Sequence, residues 1–222
     1  MAKFSSEHDG AEKPEALHEP DKDPLLVRYR TEVEKRLSEI YSSDGWISAA
    51  ANEAIRARGK RLRPILAILA CEAISGNPEP AFPVALAYEL AHSASLVQDD
   101  IIDESAMRHG NTTAYKRFGL ARAIMLSDSM IFEIFTMLAR YEKTQVSKDE
   151  LIQLLELLGR AASLAAEGEL LEVALSRRGD IKFEEYTKVV GQKTGALFAA
   201  SAASGAVVAG ADKALVDKMY EF

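Results

Sequence analysis

Between His92 and Asp103 the chain reads His-Ser-Ala-Ser-Leu-Val-Gln-Asp-Asp-Ile-Ile-Asp, three carboxylates and an imidazole in a stretch otherwise rich in alanine and leucine. At 3.6 residues per turn, His92, Asp99 and Asp103 stand at i, i+7 and i+11 and share one stripe, with Asp100 beside Asp99. The apolar flanks put that stripe at a cavity. Converging carboxylates without nearby lysines repel one another, and a divalent cation turns that repulsion into attraction. Mg²⁺ suits the set, because it takes one or two carboxylates, keeps several waters and completes its shell with substrate phosphate oxygens. Three acids near a helix end can equally face solvent, so a second signal is needed.

That signal lies upstream in Gly59-Lys60-Arg61-Leu62-Arg63-Pro64, a basic turn that runs into the apolar stretch from Ile65 to Ile74. Pro64 suits a first helical position. The basic residues then sit at a helix N-terminus, where unpaired backbone N–H groups and the helix dipole favour an anion. The chemistry is that of a diphosphate site; a solvated basic turn is the alternative. Together, a basic helix entrance and an acidic helix stripe suit a substrate that carries diphosphate and needs metal.

The elements that must position these residues are helical. Apolar residues recur at helical spacing over 25–41, 47–58, 64–75, 82–105, 121–141, 148–177, 183–209 and 211–222, and strand-like alternation is absent. Pro78, Pro80 and Pro83 punctuate one connection, 108–119 forms a loop, and Gly179-Asp180 marks another turn. The fold class is all-α, a single-domain antiparallel helix bundle over 25–222 with its site between facing helices. Residues 1–24 hold charged residues and three prolines without helical periodicity and are expected to form a disordered tail.

At 222 residues and 48% hydrophobic content, the chain can bury one sizeable core. No apolar run reaches membrane-spanning length and the N-terminus lacks a signal-peptide core, which points to a cytoplasmic protein. The net charge of −7, with basic residues clustered at one turn, argues against nucleic acid as a partner. Cys71 is the one cysteine, so no internal disulfide forms, and its apolar setting makes it a core residue.

The order Gly-Lys-x-x-Arg-Pro, His-x6-Asp-Asp-x-x-Asp, Arg with Gly, then Lys193-Thr194 resembles the trans-isoprenyl diphosphate synthases, or polyprenyl synthetases, from about Leu25 onward. The resemblance implies a prenyltransferase of the isoprenoid synthase fold with a central prenyl-diphosphate cavity, working with Mg²⁺. It places isopentenyl diphosphate on Lys60, Arg63 and His92, and the allylic diphosphate on Arg108, Lys193 and Thr194. Asp99, Asp100 and Asp103 match the first aspartate-rich metal site. It also implies a homodimer or a partner synthase subunit. Glu169 and Glu172 resemble a polar segment of the family, though a solvated face accounts for them as well. Gln98 stands just before the aspartates.

Two departures from the family pattern stand out. Family members usually carry two consecutive arginines and a glycine where this chain has Arg108-His109-Gly110. The second arginine helps hold the isopentenyl diphosphate, and a neutral imidazole is a poor substitute for a charged fork. Losing one charge-assisted contact costs on the order of 1.5–3 kcal/mol, roughly ten- to a hundredfold in affinity. The second departure is that no second aspartate-rich segment follows, and the ending at Met219-Tyr-Glu-Phe222 looks cut in mid-helix. A fragment is the simpler expectation, and a shortened homologue the other.

In such enzymes an allylic diphosphate ionises and the isopentenyl double bond captures the cation, with no protein nucleophile. Product length depends on the pocket below the first aspartates. Ala94 and Ser95 are small, which favours a product of about twenty carbons or more. Phe132 and Phe135 are candidates for the pocket floor, although phenylalanines at that spacing are common in helical cores. Two other functions compete. A class I terpene cyclase shares Asp-Asp-x-x-Asp but needs neither Lys60, Arg63 nor His92. A non-catalytic subunit of a hetero-oligomeric synthase would account for His109 and the missing second motif.

Overall fold

The structure, a computed structural model, describes residues 23–56, 59–143 and 146–221. Helix α1 (Pro24–Ile40) starts where Asp23 accepts hydrogen bonds from the N–H groups of Leu25 and Leu26, with Pro24 in the first turn. It buries Tyr29, Val33 and Leu37, one turn apart. After α2 (Trp46–Arg56), α3 (Leu62–Ser75) ends at Gly76, whose φ of 71° closes the helix. A 3₁₀ turn (Glu79–Ala81) leads into α4 (Phe82–Ile102). Next come β1 (Met107–Arg108), β2 (Asn111–Thr112), α5 (Ala114–Phe118) and α6 (Leu120–Ala139). Helix α7 (Lys148–Arg178) begins with a reciprocal Ser147/Glu150 cap. The described chain closes with α8 (Phe183–Val190), a π-turn (Gly191–Gly195), α9 (Ala196–Val208) and α10 (Lys213–Glu221).

Helix α9 is the centre of the packing. Its sequence of alanine, serine, glycine and valine is buried on every side from Ala200 to Val208, and α3, α4, α7 and α10 lie against it. Small residues allow close approach: a Cβ on Gly205 would stand 2.2 Å from the Ala67 carbonyl oxygen of α3. Tyr88 of α4 meets the Ser204 hydroxyl at 2.9 Å, so this apolar layer also satisfies its polar groups. Ile68, Leu90, Leu126, Met130, Met137 and Leu154 are fully buried, each worth about 1.5–3 kcal/mol for removal from water. Cys71 lies among them, as its setting predicts.

The helical architecture follows the sequence, with four differences. Helix α3 begins at Leu62, two residues before Pro64, so Arg63 lies inside its first turn. The loop over 108–119 contains a β-hairpin and a short helix; strands of two residues are too short to show a period. The helix expected over 183–209 is interrupted by the π-turn. Of the expected tail, Asp23 and Pro24 belong to the start of α1, and residues 1–22 lie outside the described residues.

Candidate active site

Helix α4 carries the acidic stripe to its C-terminal end. The Asp103 N–H donates to the Asp99 carbonyl at 2.8 Å and closes the helix. Asp99 is half-buried; burial and, after it, the Glu169 carboxylate push its carboxyl up to about 6, while Lys193 and Arg108 pull the other way. Asp103 is exposed one turn further on. Asp100, 100° around the helix from Asp99, is buried and accepts a hydrogen bond from Nε of Arg108 at 2.8 Å. The three aspartates therefore do not close into one cage: among the described residues no group of three or more His, Cys, Asp or Glu is placed to hold a metal. Asp99 and Asp103 remain as an i, i+4 pair. Two carboxylates one turn apart are a partial ligand set of the kind a hard dication takes, with its remaining positions left to water and phosphate oxygens.

The basic turn has one member facing inward. Arg61 takes a left-handed backbone (φ 53°) just before α3. Its guanidinium is buried, with Nη1 on Glu89 Oε1 at 2.5 Å, Nη2 donating to the Ile55 carbonyl, and Glu34 3.8 Å from Nε. Lys60 is exposed, and Arg63 lies half-buried with its guanidinium 4.6 Å from the Phe198 ring centre and its carbonyl held by the Ser201 hydroxyl at 2.6 Å. Lys60, Arg63, His92, His109 and Phe198 line a common cavity of about 210 Å³, and the Arg61–Glu89 pair forms part of its wall. Four segments far apart in sequence supply its wall. Burial, with Arg63, Arg61 and Arg108 nearby, pushes the His92 imidazole down to about 3. It is a neutral donor in a positive field, which suits an anion. Arg61 and Glu89 are the residues that sequence reasoning missed; three basic residues within four positions carry no sign of which faces inward.

The hairpin brings His109 to this cavity. His109 (φ 48°) and Gly110 (φ 82°) form its two-residue turn, and Arg108 pairs with Asn111 across it. The Thr113 hydroxyl donates to the Ser105 carbonyl at 2.7 Å, which fixes the hairpin to the end of α4. His109 also borders a neighbouring cavity of about 550 Å³ that reaches Asp100 and Arg108.

Lys193 arrives from the far side. The π-turn that carries it packs directly on α7, where a Cβ on Gly168 would lie 2.5 Å from the Lys193 backbone nitrogen. The ammonium pairs with Glu172 at 2.5 Å and with Glu169. Burial opposes its charge, but the hydrogen bonds to both glutamates and the nearby Asp99 raise its pKa overall. Glu169 is thus a buried member of the site and not a solvated one, whereas Thr194 and Gln98 are exposed.

Ala94 is buried where α4 meets α6, its carbonyl 3.4 Å from the Ser127 hydroxyl. Ser95 is half-buried and donates to the His92 carbonyl at 2.8 Å. Phe132 and Phe135 are neither floor nor core: they are 67% and 57% exposed, on an outer face of α6 with Leu120, Ile124 and Met125.

The polyprenyl synthetase family profile matches residues 44–222. The geranylgeranyl diphosphate synthase of Methanosarcina mazei is 32% identical over 187 residues, which is 84% of this chain and 55% of that protein. The octaprenyl diphosphate synthase of Escherichia coli is 34% identical over 152 residues, 68% of this chain and 45% of that protein. A solved geranylgeranyl pyrophosphate synthetase from the archaeon Geoglobus acetivorans superposes with a TM-score of 0.83 at 28% identity, over 88% of this chain and 64% of that one. The chain spans about half the length of the curated relatives it matches.

Proposed function

Because this chain belongs to the polyprenyl synthetase family, we propose that it carries the substrate-binding half of a prenyltransferase joining isopentenyl diphosphate to an allylic prenyl diphosphate. The observation that carries this reading is the common cavity of Lys60, Arg63, His92 and His109, whose α4 wall belongs to the helix that also carries Asp99 and Asp103.

The residues divide the work between two diphosphates. Lys60 and Arg63 supply charge to the isopentenyl diphosphate, and neutral His92 donates a hydrogen bond without adding charge. Arg108, steered by Asp100, and Lys193 face the allylic diphosphate, with Thr194 beside it. Their positive charge stabilises the leaving diphosphate as the allylic C–O bond breaks and its electron pair departs with oxygen. The isopentenyl double bond then supplies the electron pair for the new C–C bond. The adjacent carbon loses a proton to the released diphosphate, and a trans double bond remains. Asp99 and Asp103 would hold Mg²⁺, which when bound supplies Lewis-acid neutralisation of the leaving group.

The finer readings extend the same proposal. By side-chain volume alone, small Ala94 and Ser95 favour a product of about twenty carbons or longer. The relatives named as geranylgeranyl and octaprenyl diphosphate synthases agree with that. Residues 25–222 act as one domain. The apolar outer face of α6 supports association with a second copy or a partner synthase subunit. No described helix is long and apolar enough to cross a membrane, and the reading places the protein in the cytoplasm.

The test is incorporation of radiolabelled isopentenyl diphosphate with Mg²⁺ and a series of allylic primers, on this chain and its Asp99→Ala/Asp103→Ala variant. Incorporation that the variant abolishes supports the reading. Isopentenyl diphosphate binding that is indifferent to Lys60→Ala and Arg63→Ala removes it.

A further inference from the structure

We propose that Arg61 and Glu89 are positioning residues for the isopentenyl diphosphate pocket: a buried clamp that sets the spacing between its two walls. This rests on the reading of that pocket given above. Arg61 follows Lys60 and precedes Arg63 by two residues, while Glu89 stands three before His92 on α4, nearly one helical turn. One ion pair thus ties the loop that brings Lys60 and Arg63 to the helix that brings His92. Both side chains are 4% exposed, so neither can relax into water if the other moves.

Arg61 also reaches the last turn of α2 through the Ile55 carbonyl. A planar guanidinium can make both contacts at once; an ammonium on a flexible stem makes them as a point charge. The left-handed backbone at Arg61 (φ 53°) is uncommon for a residue with a Cβ and persists where surrounding contacts over-determine it. It turns the Arg61 guanidinium onto Glu89, and the pair forms part of the wall of the cavity that Lys60 and Arg63 also line. Glu89 neutralises Arg61, leaving Lys60 and Arg63 as the charges of that turn presented to a ligand.

The test holds net charge constant, because removing Glu89 alone would strengthen the positive field and mask a geometric effect. In the 222-residue chain, Arg61→Met/Glu89→Met replaces the pair by apolar groups of similar length, a change a fold often tolerates. Calorimetric titrations with isopentenyl diphosphate, and separately with geranyl diphosphate plus Mg²⁺, are made on this variant, on Arg61→Lys and on Lys60→Ala, with thermal unfolding in parallel. For the Met pair we expect isopentenyl diphosphate affinity about tenfold lower or worse, geranyl diphosphate affinity within about twofold, and an unfolding midpoint near that of the unmodified chain. If the Met pair does not fold, Arg61→Lys carries the test, with the same selective loss expected at smaller size. Unchanged isopentenyl diphosphate affinity in a folded variant, where Lys60→Ala loses it, overturns the clamp alone. Equal losses for both ligands also overturn it, since they mark a general structural role. Affinity indifferent to Lys60→Ala overturns the pocket reading and the clamp with it.

Discussion

Arg108 donates through Nε to Asp100 at 2.8 Å, with Asp100 buried and Arg108 partly so, which sets the middle carboxylate of the acidic trio against an arginine. Asp99 and Asp103 are left outside that bond as an i, i+4 pair, and the charge-assisted contact holds Arg108 against α4.

This arrangement separates the roles of adjacent aspartates. Asp100→Asn keeps the shape but leaves Arg108 with a neutral acceptor, a loss of about 1–1.5 kcal/mol in that contact. We expect geranyl diphosphate binding in the presence of Mg²⁺ to weaken roughly tenfold, and the dependence on Mg²⁺ concentration to stay as it was. Asp99→Asn should shift the Mg²⁺ dependence itself. Titrations at several Mg²⁺ concentrations decide between them, and identical behaviour of the two variants contradicts the assignment.

From the hairpin tip His109 lines the cavity shared by Lys60, Arg63 and His92. His109→Arg restores an always-charged fork there and is expected to tighten isopentenyl diphosphate binding roughly ten- to a hundredfold. Calorimetry at neutral pH measures it directly. An unchanged dissociation constant means that the hairpin tip does not touch the ligand.

His92 makes a pH prediction. Its folded value of about 3 lies below the ordinary 6.5, so the unfolded chain binds the proton first. The stability conferred by neutral His92 is complete above about 6.5 and is lost progressively as pH falls toward about 3. Compared with His92→Gln, whose side chain does not titrate, the unmodified chain should therefore lose thermal stability more steeply on acidification. Parallel melting curves across this window check the slope, and matching slopes would falsify the depressed value.

Gly168 lets the π-turn rest on α7. Gly168→Ala would set a Cβ 2.5 Å from the Lys193 backbone nitrogen, a clash only backbone movement can relieve. The expected destabilisation is about 1–3 kcal/mol by overpacking, with Lys193 displaced from Glu169 and Glu172. Urea unfolding measures the first effect and geranyl diphosphate affinity the second. An alanine variant with native stability and affinity would show that the turn can shift without consequence.

Much of the helical framework was legible from apolar spacing and from proline and glycine positions. The caps at Asp23 and at Ser147 with Glu150, which set two helix starts, emerged in the structure, and the first of them lies inside the stretch expected to be a disordered tail. The hairpin was not legible, because its register depends on the left-handed turn at His109-Gly110 and not on any alternation of polarity. The π-turn was hidden too: Gly191 and Gly195 hint at a break, but the surface that accommodates it belongs to Gly168, more than twenty residues away.

The sequence by itself determined an all-α chain, its family resemblance and the set of residues able to handle diphosphate and metal, since periodicity and residue type are local properties. Only the tertiary structure decided which of them do what. Lys60, Arg61 and Arg63 are chemically near-equivalent in the sequence, and it is Glu89, 28 residues away, that pairs with Arg61 in the cavity wall and leaves the charges of the other two outside that pair. Phe132 and Phe135 show the same limit: helical spacing placed them near one another, but which face of α6 meets α4 was a matter of packing, and it turned them outward. Burial and charge partners arise from contacts between distant segments, and those contacts exist only once the helices have packed.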